Sequence, residues 1–234
     1  MLTLTELEEA WADLLANDLD DNALAPGVAR FLEGVDEQLT RLETQLADGT
    51  YQPQPLTEVE IAKPSGGVRV LHIPAVRDRV VSRALLAAID SDVDPQLGSC
   101  SFAYRAGLGV ADAVEAVVSF REEGRRWVLR ADIDDCFPTI PVDLVRRRLA
   151  ALVAPEAMQI ADLLLARPTS VPGHRRLRTL SGLAQGCALS PLLSNLLLVD
   201  LDDSLLDAGF GVVRYADDVV VGAQTRDDAW EAMR

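Results

Sequence analysis

Residues 212–222 read Val-Val-Arg-Tyr-Ala-Asp-Asp-Val-Val-Val-Gly. Two short β-branched runs flank a pair of acids, which predicts strands at 212–216 and 219–222 joined by a tight turn around Asp217 and Asp218. Upstream, Trp-Val-Leu-Arg-Ala-Asp-Ile at 127–133 predicts another strand, with Asp132 at its end. Carboxylates at the ends of apolar strands are costly unless positive charge meets them. A hard divalent ion, held by one or two carboxylates and the phosphates of a substrate, would supply that charge. Two such ions about 3.5–4 Å apart can clamp the attacking and leaving oxygens of an in-line displacement. The competing reading makes Asp217 and Asp218 ordinary turn residues.

Outward from these strands the order is helices first, then strands and helices mixed, which predicts an α+β fold. Thr5 and Glu8 form a capping box opening a helix over 5–17. Val28, Phe31, Leu32, Val35, Leu39, Leu42 and Leu46 share the face of a second helix, stopped at Asp48-Gly49. The extended segment Tyr-Gln-Pro-Gln-Pro at 51–55 marks a boundary between an acidic helical region, 1–50, and the remainder, 51–234. Strands at 59–62 and 68–73 flank the turn Lys-Pro-Ser-Gly-Gly at 63–67 and read as a hairpin. Helices follow over 74–89, over 110–123 with Val110, Val114, Val117 and Val118 inward, over 141–153 and over 156–167. A long helix runs from Ser190-Pro191 to Gly209, and Thr225 caps a last one.

The chain has 234 residues and a formal charge of −15. A hydrophobic fraction of 49% excludes disorder as a description of the whole chain. No apolar run reaches the length of a membrane span, and the acidic amphipathic N-terminus is not a signal peptide. Cys100, Cys136 and Cys187 are too far apart for a zinc ribbon, so a reducing cytoplasm is expected. The charge is uneven. Residues 1–62 hold 14 acids against Arg30 and Arg41, and the remainder is nearly balanced. The bases are 21 Arg and the single Lys63, a bias that suits phosphate contacts or reflects codon usage alone.

Five blocks in order resemble the bacterial group II intron-like reverse transcriptases. They are Lys-Pro-Ser-Gly-Gly-Val-Arg-Val-Leu-His-Ile-Pro at 63–74, Ser-Phe-Ala-Tyr-Arg at 101–105 and Arg-Ala-Asp-Ile-Asp-Asp-Cys-Phe-Pro-Thr-Ile at 130–140. Gln-Gly-Cys-Ala-Leu-Ser-Pro-Leu-Leu-Ser-Asn at 185–195 and Tyr-Ala-Asp-Asp at 215–218 complete the set. One tetrapeptide would be weak; five ordered blocks are specific. The wording of 98–140 is most similar to the reverse transcriptases fused to the CRISPR adaptation integrase. The resemblance implies the fingers and palm of a right-hand polymerase, with an antiparallel palm sheet. The thumb and primer grip that relatives carry beyond this point are not in the sequence.

The same resemblance implies an RNA-directed DNA polymerase. It would act on an RNA template, a DNA or RNA primer and dNTPs, with a CRISPR adaptation integrase as a further partner and no membrane. Asp132, Asp217 and Asp218, helped by the Ile133 carbonyl, would hold two Mg²⁺ ions, for which Mn²⁺ can substitute. Lys63 and Arg69 would fold over the triphosphate, Gln185 would sit beside the nucleotide, and Phe137 would exclude a 2′-hydroxyl. Each has a plainer reading: Phe137 as core, Lys63 and Arg69 as a cross-strand pair, Gln185 as a polar loop residue. Arg105 and Arg214 are left unassigned between contacting template and steadying neighbouring acids. The runs 146–148 and 174–178 read first as solvated surface. Two rivals remain: a non-catalytic RNA-binding or adaptor module with the same palm fold, and a nucleotide cyclase, against which the fingers hairpin and the 185–195 block weigh.

Overall fold

A computed structural model describes residues 2–19, 23–62, 66–173 and 177–232. Helix α1 (Leu4–Leu19) opens the chain. Its capping box is Thr3 with Glu6, not Thr5 with Glu8: the Thr3 amide donates to Glu6 Oε2 at 2.7 Å. Both threonines stand three residues before a glutamate, and starting at Thr3 adds Leu4 to the helix. The periodic stretch 28–46 is two helices, α2 (Pro26–Leu32) and α3 (Val35–Ala47). Gly34 divides them by leaving helical backbone, with φ −142°.

β1 (Leu56–Ala62) and β2 (Val68–Ile73) form the expected hairpin, in register from Thr57 opposite Ile73 to Ala62 opposite Val68. Lys63 and the rest of its turn up to residue 65 lie outside the described residues. Helix α4 (Val76–Val93) follows, then α5 (Val110–Glu122), β3 (Trp127–Asp132) and the short α6 (Cys136–Thr139). Next come α7 (Val142–Ala150), α8 (Pro155–Leu165), β4 (Thr169–Ser170) and β5 (Leu177–Arg178). Helix α9 (Leu189–Asp207), β6 (Gly211–Tyr215), β7 (Asp218–Ala223) and α10 (Arg226–Glu231) close the order. Thr225 caps α10 as expected: its hydroxyl accepts from the Asp228 amide at 3.1 Å.

Two sheets result. One has the order β2-β1-β4-β5, with β4 added parallel to β1. The other is antiparallel throughout, in the order β3-β7-β6. One core joins α1–α4 to α7–α9: Leu7, Trp11, Phe31 and Leu39 pack in the same cluster as Leu85, Leu149 and Leu193. The acidic N-terminal helices therefore share the core of the rest.

Helix α5 presents a different face from the one its valines suggest. Val110, Val114 and Val118 are exposed; Val117 is half-buried as expected, and Ala113 and Phe120 are buried against the antiparallel sheet. The reason is the strand surface beneath. A Cβ on Gly211 or Gly222 would stand 2.7 Å and 2.5 Å from the Phe120 ring. Glycines on adjacent strands make a trough for Phe120, and that contact sets the rotation of the helix.

Candidate active site

β3 and the β6–β7 hairpin bring the acids together. Asp132 lies directly opposite Asp218 in the strand register. The Ile133 amide donates to the Asp217 carbonyl at 3.1 Å, which ties the end of β3 to the hairpin tip. Asp132, Ile133 and Asp217 line one cleft of about 310 Å³. Arg69 and His72 of β2 and Gly182 and Gln185 of the loop before α9 line it as well, as do Asp134 and Asp135. Loss of hydration raises the pKa of Asp132, and the charges of Asp217 and Asp218 raise it further.

The three carboxylates do not act as one group. Both oxygens of Asp218 are taken by Arg130, at 2.9 Å from Nε and 3.0 Å from Nη2. Among the described residues, no three His, Cys, Asp or Glu side chains gather around a possible ion. Asp132 and Asp217 with backbone carbonyl oxygen are nonetheless hard donors, and magnesium is commonly held by one or two carboxylates plus substrate phosphates. The donor set therefore fits a divalent ion that arrives with a nucleotide.

The hairpin tip is fixed from beneath. Ala216 has φ 60°, uncommon for a residue with a side chain. Its carbonyl accepts from Arg214 Nη1 at 3.1 Å. Arg214 is wholly buried and forks onto Asp202 of α9, at 2.8 Å from Nε to Oδ1 and 2.7 Å from Nη2 to Oδ2. It also donates to Asn195 Oδ1 at 2.7 Å, and Asn195 Nδ2 donates to the Ala103 carbonyl at 2.8 Å. Thus the asparagine that ends the 185–195 block props the acidic turn. Arg214 steadies neighbouring groups, and so does Arg105, which forks onto Asp94 at 2.6 and 3.0 Å. Asp202 was not singled out from sequence, although it falls seven residues after Asn195, on the same face of an otherwise leucine-rich helix.

The loop of 180–187 links β2 to the segment after β3. The His72 amide donates to the Gln185 carbonyl at 2.7 Å, and the Leu183 amide to the Phe137 carbonyl at 2.8 Å. Gly182 admits no side chain, since a Cβ would stand 2.3 Å from the Pro138 carbonyl oxygen. Phe137 is half-buried against the main core and is not among the residues lining the cleft. Asp135, Cys136 and Pro138 form the wall beside it. Arg146 and Arg148 are engaged with Asp162 and Asp200, so that basic run is largely structural. All three cysteines are buried and free.

The family described as "Reverse transcriptase (RNA-dependent DNA polymerase)" matches residues 61–234, which include the residues lining this cleft. The chain belongs to the reverse transcriptase family. Protein YkfC of Escherichia coli (strain K12) is 32% identical over 205 residues, covering 82% of this reverse transcriptase chain and 49% of YkfC. The group II intron-encoded protein LtrA of Lactococcus lactis subsp. cremoris is 29% identical over 179 residues, 73% of this chain and 28% of LtrA. The chain thus spans about half the length of YkfC. Among solved structures, a partial Cas6-RT-Cas1–Cas2 complex matches 96% of this chain and 38% of its own, with TM-score 0.54 and 23% identity. Telomerase from Candida albicans matches 78% of this chain and 38% of its own, with TM-score 0.59 and 12% identity. At such identities these two likenesses speak to the fold: α+β, with the β2-β1-β4-β5 sheet as fingers and the β3-β7-β6 sheet as palm. Reverse transcriptases generally work with divalent metal ions. No helix among the described residues is long and apolar enough to cross a membrane.

Proposed function

We propose that this chain carries the nucleotidyl-transfer centre of an RNA-directed DNA polymerase. It would join a deoxynucleoside monophosphate to a primer 3′-hydroxyl on an RNA template, with release of pyrophosphate. The observation that carries this reading is the cleft itself. Asp132 and Asp217 line it together with Asp134 and Asp135, and the Arg69 guanidinium and Gln185 amide line it as well. Carboxylates and a guanidinium around one cleft suit a triphosphate bridged through a metal.

Asp132 and Asp217, with the Ile133 carbonyl, are the residues we assign to Mg²⁺. When bound, Mg²⁺ or Mn²⁺ supplies Lewis-acid activation of the hydroxyl and neutralises charge on the leaving group. Asp218 serves this pair from the side, since Arg130 holds it. Arg69, together with Lys63, orients the phosphates, and Gln185 faces the nucleotide. Sugar selection falls to Phe137, whose backbone is tied to the same loop through Leu183. Positioning and charge stabilisation supply nearly all of the rate in such transfers.

The biological setting we favour is spacer acquisition beside a CRISPR adaptation integrase, in the cytoplasm. Its support is the likeness of fold to the Cas6-RT-Cas1–Cas2 complex over nearly the whole chain. A group II intron setting is the second reading, favoured by the match to LtrA.

Single-nucleotide incorporation on an RNA template tests the proposal. Incorporation should require a divalent ion, follow the template base, and fall at least about 100-fold in Asp217→Asn. Phe137→Val should lower the dNTP over rNTP ratio of kcat/KM. Untemplated addition, or full activity in Asp217→Asn, would overturn the proposal, and the absence of any incorporation would leave the non-catalytic adaptor reading in its place.

A further inference from the structure

Tyr104 is displayed beside the catalytic turn by a backbone that works to hold it there. Its φ is 61°, a conformation natural to glycine and uncommon for a bulky side chain. Both neighbours are anchored. Asn195 Nδ2 holds the Ala103 carbonyl, and Arg105 donates to the Asp94 carboxylate and to the Gly98 and Ser101 carbonyls. The preceding residues lie along the outer edge of β6. Ser101 bridges Arg214 in parallel, the Arg214 amide donates to the Cys100 carbonyl at 2.7 Å, and the Phe102 amide donates to the Arg214 carbonyl at 3.0 Å. Between these anchors Tyr104 is 56% exposed. Burial raises its pKa, and Asp217 and Tyr215 at the hairpin tip raise it further.

A turn residue at positive φ is better filled by glycine or asparagine. We infer that Tyr104 is a duplex-positioning residue, its ring packing against the template nucleotide paired with the primer terminus. This rests on the polymerase reading above. A primer whose 3′-hydroxyl reaches Asp132 and Asp217 lies over β3 and β7. The segment carrying Tyr104 is on the far side of β6, three strand spacings or about 14 Å from β3. A base pair laid across the strands therefore turns its template half toward Tyr104. Aromatic rings accept any base, so the contact positions without reading sequence.

The test compares wild type, Tyr104→Phe and Tyr104→Gly for binding to a labelled DNA primer on a longer RNA template. Tyr104→Gly removes the ring and relieves the backbone, so its melting temperature should hold or rise. Its affinity should nonetheless fall about five- to tenfold, the lower end of a base–aromatic contact, while Tyr104→Phe stays within about twofold of wild type. An abasic site in the template opposite the primer terminus should weaken wild type but not Tyr104→Gly. An abasic primer terminus should weaken both equally. Equal affinities of wild type and Tyr104→Gly, including the case in which neither binds, overturn the proposal. So does insensitivity of the variant to the primer lesion in place of the template lesion. A wild type that binds blunt duplex as well as recessed duplex overturns the polymerase reading itself.

Discussion

Asp132 is the residue on which stability and function pull apart. Its pKa is raised by loss of hydration and by the charges of Asp217 and Asp218, against the opposing pull of Arg130. The folded state therefore binds a proton more readily than the unfolded chain. Ionised Asp132 subtracts stability above its folded pKa, and that loss vanishes below the unfolded value near ~3.9. In metal-free protein, Asp132→Asn should raise the melting temperature at neutral pH by about 1–2 °C, a small gain because the site is exposed to solvent. The gain should fade toward about pH 4. Thermal scans of both proteins across that range check it; a difference that is constant with pH would contradict the assignment. Asp132 and Asp217 were legible in the sequence because strand ends and a turn leave little choice of position. The Arg130 fork on Asp218 was not, since a cross-strand diagonal contact needs the register first.

At the scale of elements, α9 acts as a strut. Its Asn195 and Asp202 reach one buried guanidinium, Arg214, which in turn holds the carbonyl of Ala216 in the acidic turn. Removing one partner of a buried ion pair strands the other charge, at a cost of about 3–5 kcal/mol. Asp202→Asn should therefore lower the melting temperature by roughly 6–20 °C, at about 2–4 °C per kcal/mol for a chain of this size. Asp202→Leu with Arg214→Met, which removes both charges, should recover part of that loss. Circular dichroism melting of the two variants decides it; equal losses would mean that the pair is not coupled. Most elements could be read directly, because strands 68–73, 127–132 and 218–223 alternate or run apolar between clear breaks. Helix α5 could not. Its exposed valines mimic a buried stripe, and only the Gly211–Gly222 trough shows which face turns inward. The split of 28–46 likewise depended on one glycine within an unbroken apolar period.

For the whole molecule, the charge is uneven along the chain. Residues 1–62 carry a net −12, and 19 of the 21 arginines lie beyond them. Phosphate contacts dominate nucleic-acid affinity, so binding of primer–template should be weak and fall steeply with salt. A titration across salt concentrations checks this; a flat dependence would contradict it. The proposed function also requires the two sheets to cooperate. On the function proposed above, Arg69 of the fingers sheet and Asp132 and Asp217 of the palm would share one nucleotide site with a divalent ion. Equilibrium dialysis of labelled dTTP, with and without Mg²⁺, reads that site directly. Labelled dTTP should be retained only when Mg²⁺ is present. Asp132→Asn, Asp217→Asn and Arg69→Ala should each weaken it at least about tenfold, and Asp218→Asn clearly less. Retention that ignores Mg²⁺, or that survives both Asp132→Asn and Asp217→Asn, would contradict the claim that these two acids belong to the site.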